Sequence, residues 1–367
     1  MNSPSPNSGH PRAPSIAIVG ATGAVGREML LVLEQRKLRH GPLRAFASPR
    51  SAGQPLPYRG GTITVEPLDD SALLGWSGGG CDIALFAAGS GISKQWCPLF
   101  AKSGSCVIDN SSAFRMTPGV ALVVPEVNPQ HMPAHPGGAI IANPNCSTII
   151  LLVAITPLHR AFGIERVCVS TYQAASGAGA QGMDELELQT REVLAGRPAV
   201  PKVFDEPYAF NLFSHNSALD VLTGLNVEEE KMILETYKMW GDDSTRITAT
   251  CIRVPVLRAH CESVNLTLRK PATLRQVRET LGKAAGLTVV DDRGANSFPT
   301  PLKATGGDDC LVGRIRVDPS QSPHRLKTSD DTPVVGFDLF IAGDQLRKGA
   351  ALNAVQIAEL AFPSLCP

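Results

Sequence analysis

Short apolar runs alternate with amphipathic stretches along the first part of the chain. Ser15–Val19 (SIAIV) is such a run and ends at Gly20, after which a helical pattern continues from ATGAVG to about Lys37. Leu43–Ala47, Asp82–Ala88 (DIALFAA) and Cys106–Asp109 (CVID) follow, with a helix expected near Ser93–Lys102, and Ala121–Val124 and Ala139–Ala142 complete the series. Apolar runs too short for helices predict buried strands. Their alternation with helices predicts a parallel sheet wound by crossover helices. Beyond about residue 146 the pattern changes. A helix over Cys146–Phe162 leads into a longer strand, Arg166–Ala174, and helices are expected near Met183–Leu194 and over Val227–Trp240. In Arg246–Val256, Ile247, Ala249 and Cys251 alternate with Thr248, Thr250 and Ile252, a strand's period of two. Ser263–Leu268, Leu311–Val317 and Val334–Ile341 are further strands, the polar 318–333 stretch is a loop, and a last helix spans about Asp344–Phe362.

The expected class is therefore α/β: a doubly wound parallel sheet of Rossmann type followed by an α+β domain on a partly antiparallel sheet. Boundaries are placed at 1–14 for a mobile tail rich in Ser, Pro and Asn, 15–143 for the doubly wound domain, and 144–343 for the α+β domain. The helix over 344–362 is assigned back to the first domain. GWSGGG at 75–80 reads as a surface loop.

Composition narrows the function. The chain has 367 residues, 43% of them hydrophobic, enough for two cores and far from the composition of a disordered protein. Its 34 basic side chains balance 34 acidic ones, without a local basic run, so a nucleic-acid partner is not expected. The longest apolar run, Ile149–Ile155, is far short of the roughly 20 residues that span a bilayer, and the first residues have no secretory apolar segment. Nine cysteines, scattered without a CxxC pair, suggest reduced thiols in a cytoplasmic protein and neither a disulfide framework nor a metal site.

Two motifs carry chemistry. Gly20, Thr22, Gly23, Ala24, Val25 and Gly26 form GATGAVG where a strand meets a helix; there, glycines let backbone amides approach a pyrophosphate at the helix's positive end. About 20 residues on, an NAD-binding fold usually carries an acid for the ribose hydroxyl, but here the second strand ends in Ser48, Pro49, Arg50 and Ser51. An arginine and two hydroxyls suit a 2′-phosphate, which favours NADP. The second motif is NPNCST. Asn145 is a good N-cap, and Cys146 falls in the first helical turn, where the helix dipole and free amides favour a thiolate or an oxyanion beside it. A thiol nucleophile beside a nicotinamide suggests aldehyde oxidation through a thioester.

GATGAVG, IDNSSAFRM, PEVN, NPNCST, TYQAASGAG, ETYK, RVPVLRAHCES and LRKGAALNAVQIAE occur in this order from about Ile16 to Leu360. Together they closely resemble the aspartate-semialdehyde dehydrogenase family. The resemblance implies that Cys146 carries the acyl group, Gln173 orients it, Arg253 clamps the substrate carboxylate, and His260 shuttles the proton. It also implies that Glu235 holds the substrate amino group, Lys238 and Arg115 hold phosphate, and Asn145 lies near the nicotinamide or the acyl oxygen. Ser176, Gly177 and Gln345 join the cofactor site, and a homodimer is expected. The implied reaction is the NADPH-dependent conversion of 4-phospho-L-aspartate to L-aspartate 4-semialdehyde, on the route to lysine, threonine and methionine. Alternatives are a related acyl-phosphate or acyl-CoA reductase of the N-acetylglutamyl-phosphate type, a non-catalytic paralogue, or a cysteine hydrolase. Two positions depart from the family's frequent G-H-S-E: Ala259 and Cys261 flank His260, and an oxidised Cys261–Cys146 pair is conceivable.

Overall fold

The computed structural model describes residues 12–76, 79–321 and 329–366. The tail expected over 1–14 lies outside them up to residue 11, as do two residues of the Gly-rich 75–80 stretch and the centre of the 318–333 loop.

The first sheet contains β1 (Ile16–Val19), β2 (Leu43–Ala47), β3 (Pro55–Tyr58), β4 (Gly61–Pro67), β5 (Ile83–Phe86), β6 (Cys106–Asp109), β7 (Ala121–Leu122) and β8 (Ile140–Ala142). Their order is β3-β4-β2-β1-β5-β6-β8-β7, and every pairing is parallel except the β3–β4 hairpin. Helix α1 (Ala24–Gln35) connects β1 to β2, and α2 (Ser90–Lys102) connects β5 to β6. The winding therefore reverses between β1 and β5, and this topological switch opens a crevice at the strands' carboxyl ends. The β1 and β5 residues are wholly buried because helices cover both faces.

The chain then enters α3 (Cys146–Phe162), β9 (Ile164–Gln173), α4 (Gly179–Leu194), β10 (Phe213–Ser214), α5 (Val227–Trp240) and β11 (Arg246–Arg253). It continues through β12 (His260–Ala272), α6 (Leu274–Gly282), β13 (Leu287–Val289), α7 (Pro301–Ala304), β14 (Cys310–Val317) and β15 (Val334–Gly343). These strands form a mixed sheet ordered β10-β11-β9-β12-β15-β14-β13, with β12 antiparallel to both β9 and β15. Helix α3 lies across one face. Ile149, Ile150 and Val153 pack there with Val264, Leu266 and Ile341, each side chain contributing about 1.5–3 kcal/mol by leaving water.

The last helix departs from its expected course. Arg347–Ala351 form a π turn, and the α-helix proper, α8, is Leu352–Ala361. Arg347 reaches Glu28 and Asp308, while Lys348 reaches Glu126, Asn353 and Gln356. The wider turn accommodates both anchored cations side by side. Leu352, Val355 and Ile357 pack into the core of β1, β2 and α1.

Candidate active site

The switch-point crevice starts at Gly20, whose φ is +84° and whose amide donates to the Phe46 carbonyl at 2.8 Å. A Cβ on Gly20 would stand 2.7 Å from the Ala87 carbonyl oxygen, and one on Gly26 would stand 2.3 Å from that of Gly20. The strand–loop–helix turn thus closes to a radius only glycine allows. Gly23 caps α1 without a side chain, leaving the first-turn amides beside Ala24 and Val25 facing the crevice, with Thr22 in the loop. Ser48, Arg50 and Ser51 lie on the turn that ends β2, with Ser48 and Arg50 exposed. These residues fit a dinucleotide: bare amides for the pyrophosphate and an exposed guanidinium at the ribose end.

Val25 and Gln345 also line a cavity of about 340 Å³ in which Cys146 stands. Asn145 caps α3 by accepting from the amides of Ser147 at 3.0 Å and Thr148 at 3.2 Å. The cap fixes the Cys146 side chain at the mouth of the first turn. Gly349 of the π turn stands over it; a Cβ there would lie 2.9 Å from the Cys146 Cβ. The thiolate expected from the helix dipole alone is not the resting state. Burial, with Glu228 adding to it, pushes the Cys146 thiol up to about 12 against the opposing pull of Arg115 and Arg253.

Helix α5 corrects two assignments. Glu235 is 1% exposed and does not line the cavity: its carboxylate accepts from Arg115 Nη1 at 3.1 Å and from the Asn145 amide at 2.6 Å. Lys238 is likewise outside, its ammonium donating to the carbonyls of Arg115 at 2.5 Å and Thr117 at 3.1 Å. The pair that lines the cavity is Glu228 and Lys231, 3.1 Å apart. Burial opposes ionisation of Glu228, but Lys231, His215 and Asn145 outweigh it and hold the carboxyl at about 2. Asn145 Nδ2 donates to Glu228 Oε1 at 2.7 Å. Arg115 lines the cavity, its guanidinium also donating to the carbonyls of Asn143 and Asn110. Sequence reasoning missed Glu228, Lys231 and His215, although the second Glu-x-x-Lys spacing, in NVEEEK, was visible.

At the end of β9, Gln173 Nε2 donates to Ser147 Oγ at 2.8 Å and to Glu228 Oε1 at 3.4 Å. Arg253 is 5% exposed and donates to Asn216 at 3.3 Å and to the Ala174 carbonyl at 3.4 Å. The Ala174 amide in turn donates to His260 Nδ1 at 3.0 Å, so one residue aims both side chains. Gln345 donates to Ser176 Oγ and accepts from the Ala259 amide. Ala259 holds φ +73°, the left-handed conformation for which the family's usual glycine is suited. Cys261 belongs to the other face of the sheet, packed with Ala259, Ala304 and Ala342, while its neighbours His260 and Glu262 point to the α3 side. The conceivable Cys261–Cys146 pair is thus ruled out in this arrangement by strand alternation.

Comparison with known proteins agrees with this architecture. Residues 15–135 match the family model "Semialdehyde dehydrogenase, NAD binding domain", and residues 155–348 match "Semialdehyde dehydrogenase, dimerisation domain". The chain is 48% identical over 345 residues to the aspartate-semialdehyde dehydrogenase of Synechocystis, covering 94% of this chain and 96% of that one. It is 45% identical to that of Aquifex aeolicus over 349 residues, with coverages of 94% and 97%. The crystal structure of aspartate semialdehyde dehydrogenase II from Vibrio cholerae, complexed with ASA, superposes with a TM-score of 0.87 at 40% identity. It covers 96% of this chain and 99% of the Vibrio chain. With its paired sheets, its glycine crevice and its capped cysteine, this chain belongs to the aspartate-semialdehyde dehydrogenase family of oxidoreductases.

Proposed function

We propose that the enzyme reduces 4-phospho-L-aspartate to L-aspartate 4-semialdehyde with NADPH, through an acyl group carried on Cys146. One observation supports this most: Cys146 shares a cavity with Glu228, Lys231, Arg115 and Arg253 and also with Val25 and Gln345 of the nucleotide crevice. Arg253 takes the substrate α-carboxylate and Glu228 its ammonium group. Lys231 and Arg115 hold the phosphate, and Gln173, anchored on Ser147, orients the acyl carbonyl. A free amino-acid head group matches this acid–base pairing, whereas N-acetylation or a CoA thioester would bring no ammonium group to Glu228. Gly20, Thr22, Gly23, Ala24, Val25 and Gly26 hold the pyrophosphate, Ser48, Arg50 and Ser51 the 2′-phosphate, and Ser176, Gly177 and Gln345 the nicotinamide end. NADPH, when bound there, supplies the hydride. The structural neighbour from Candida albicans described with NADP has the same fold.

The domain limits of 15–143 with 344–362, and 144–343, follow the two sheets and the return of α8 to the first. We place the enzyme in the cytoplasm; among the described residues no helix is long and apolar enough to cross a membrane. We further propose a homodimer, supported by the dimerisation-domain match and by exposed Phe210, Leu212, Val221 and Leu222 on the segment preceding α5. Sedimentation should then give twice 38.8 kDa; a monomer at micromolar concentration would refute it.

The deciding assay is phosphate-dependent reduction of NADP by aspartate semialdehyde, with NAD in parallel. Activity should need phosphate, should prefer NADP, and should fall at least about 10⁴-fold in Cys146→Ala. Turnover without phosphate would overturn the roles of Lys231 and Arg115.

A further inference from the structure

We infer that His215 recognises the α-carboxylate of the substrate, its neutral imidazole presenting Nε2–H beside the guanidinium of Arg253. The inference rests on the head-group reading above, in which Arg253 takes the α-carboxylate and Glu228 the ammonium group. It adds a specificity residue to that site and leaves His260 the proton transfer that the family resemblance gives it.

The segment before α5 is tied into the head-group site at both of its ends. Phe213 and Ser214 of β10 pair with Arg253 and Ile252 of β11, and the His215 amide donates to the Cys251 carbonyl at 2.8 Å. The next two residues hold the two recognition groups. Asn216 Oδ1 accepts from Arg253 Nε at 3.3 Å, and Ser217 Oγ accepts from the Glu228 amide at 3.2 Å. His215 therefore stands between the anchor of the carboxylate clamp and the anchor of the ammonium partner, and its ring lines the cavity with both.

The ring's donor is fixed by its neighbour. The Ser217 amide donates to His215 Nδ1 at 3.2 Å, the ring's one hydrogen bond among the described residues. A backbone N–H can only donate, so the lone pair of Nδ1 is engaged and the proton of the neutral ring sits on Nε2. Burial first, then Arg253 of β11, holds the ring neutral by pushing the imidazole down to about 4; Lys231 of α5 acts the same way and Glu228 opposes. His260 of β12 also faces it. Arg253 bears on the ring more strongly than Lys231 does, which sets His215 at the carboxylate end of the cavity and away from the phosphate end.

Counting donors shows why such a group is needed there. A carboxylate taken out of water has about four lone-pair sites to satisfy. Arg253 spends Nε on Asn216 and shares Nη1 with the Ala174 carbonyl at 3.4 Å, so the side-on fork of Nε and Nη2 is closed to the substrate. Gly177 crowds the same guanidinium, for a Cβ there would lie 2.7 Å from Nη1. The outer edge of the guanidinium alone leaves carboxylate lone pairs unmet, and an unmet buried acceptor is costly. Nε2–H of His215 meets one of them, and being neutral it adds no second cation against Arg253.

Three aldehydes test this: aspartate semialdehyde, succinic semialdehyde, which keeps the carboxylate and lacks the ammonium group, and 3-aminopropanal, which keeps the ammonium group and lacks the carboxylate. Each is taken as substrate, or as competitor against aspartate semialdehyde where its turnover is too slow. His215→Ala should weaken the two carboxylates about 10–100-fold and leave 3-aminopropanal and the KM for phosphate within about twofold of wild type. His215→Gln keeps an N–H donor and should lose no more than about threefold. In ¹⁵N-labelled wild-type enzyme, with His215→Gln assigning the signal, the His215 Nε2–H resonance should move when succinic semialdehyde binds and stay when 3-aminopropanal binds. This measurement needs no destabilising variant. Equal losses on all three aldehydes, a loss confined to phosphate, or a resonance that ignores succinic semialdehyde would overturn the inference. A wild-type enzyme that accepts 3-aminopropanal as readily as aspartate semialdehyde would sink the underlying head-group reading. A discriminating wild type with an unchanged His215→Ala sinks only the present inference.

Discussion

Two buried imidazoles, His260 and His215, are held neutral, at about 3 and about 4 against an ordinary value near 6.5, chiefly by burial. The unfolded chain binds protons on both below about pH 6.5 while the folded chain does not, so stability rises with pH across that window. Unfolding free energy should hold steady above about pH 6.5 and decline as pH falls towards about 4, with His260→Gln flattening the slope; a pH-independent denaturant midpoint would contradict this. Glu228 adds the same direction only below its ordinary value of 4.5. In the same cavity, Lys231→Ala should raise the KM for phosphate about 10-fold or more, while Lys238→Ala should leave it unchanged, since Lys238 is spent on two carbonyls. The two Glu-x-x-Lys pairs explain why the sequence could not choose between them. They lie seven residues apart, close to two helical turns, so both occupy one face of α5 and differ by about 10 Å along its axis. Spacing reveals the face; only the packing of α5 against α3 reveals which turn meets the cavity. Cys146, Arg253 and Gln173 were legible because each lies within a local motif. His215 was not, because it stands in an irregular segment.

Helix α3 shows how one element positions Cys146. It begins at Cys146, as its Asn-Pro-Asn approach predicts, and Asn145 both caps it and binds Glu228. Asn145→Ala should cost about 1 kcal/mol from the lost cap and also lower kcat, read by urea unfolding and by turnover; unchanged stability would mean water replaces the cap. Strands buried on both faces and helices with strong stops were readable to within a few residues, and α3, α5, β2 and β6 to their ends. The β3–β4 hairpin was not, because prolines at 55, 57 and 67 disguise it; it survives at the sheet's edge, where ladder donors are dispensable. Helix α6 was also missed, despite the capping box of Thr273 and Gln276, because it is short and mostly polar. The π turn at Arg347–Ala351 carries no local signal. It arises from partners more than two hundred residues away, Glu28 and Glu126.

Across the whole molecule, a charge network ties the two sheets. Glu28 on α1 meets Arg347 at 3.0 Å and Arg258 at 2.9 Å, and Arg258 also meets Asp344 at 2.8 Å. Arg258 is two residues from His260, so the helix that starts the nucleotide crevice is linked to the strand that bears the imidazole. Glu28→Ala leaves two guanidinium groups facing each other across a largely buried gap and should cost about 3 kcal/mol, measured by denaturant unfolding; a loss below about 1 kcal/mol would show the network to be dispensable. The return of α8 to the first sheet has a consequence for how the protein is made. The strands that bind the nucleotide leave the ribosome early, but the residues that complete their core, Leu352 through Leu365, leave only after the whole second sheet. Synthesis therefore exposes an open apolar face for as long as the intervening chain takes to emerge, and the coenzyme has no finished site to bind until then. Nascent chains stopped before residue 352 should depend on chaperones, and ligand-assisted folding can begin only once Leu352 through Leu365 have emerged.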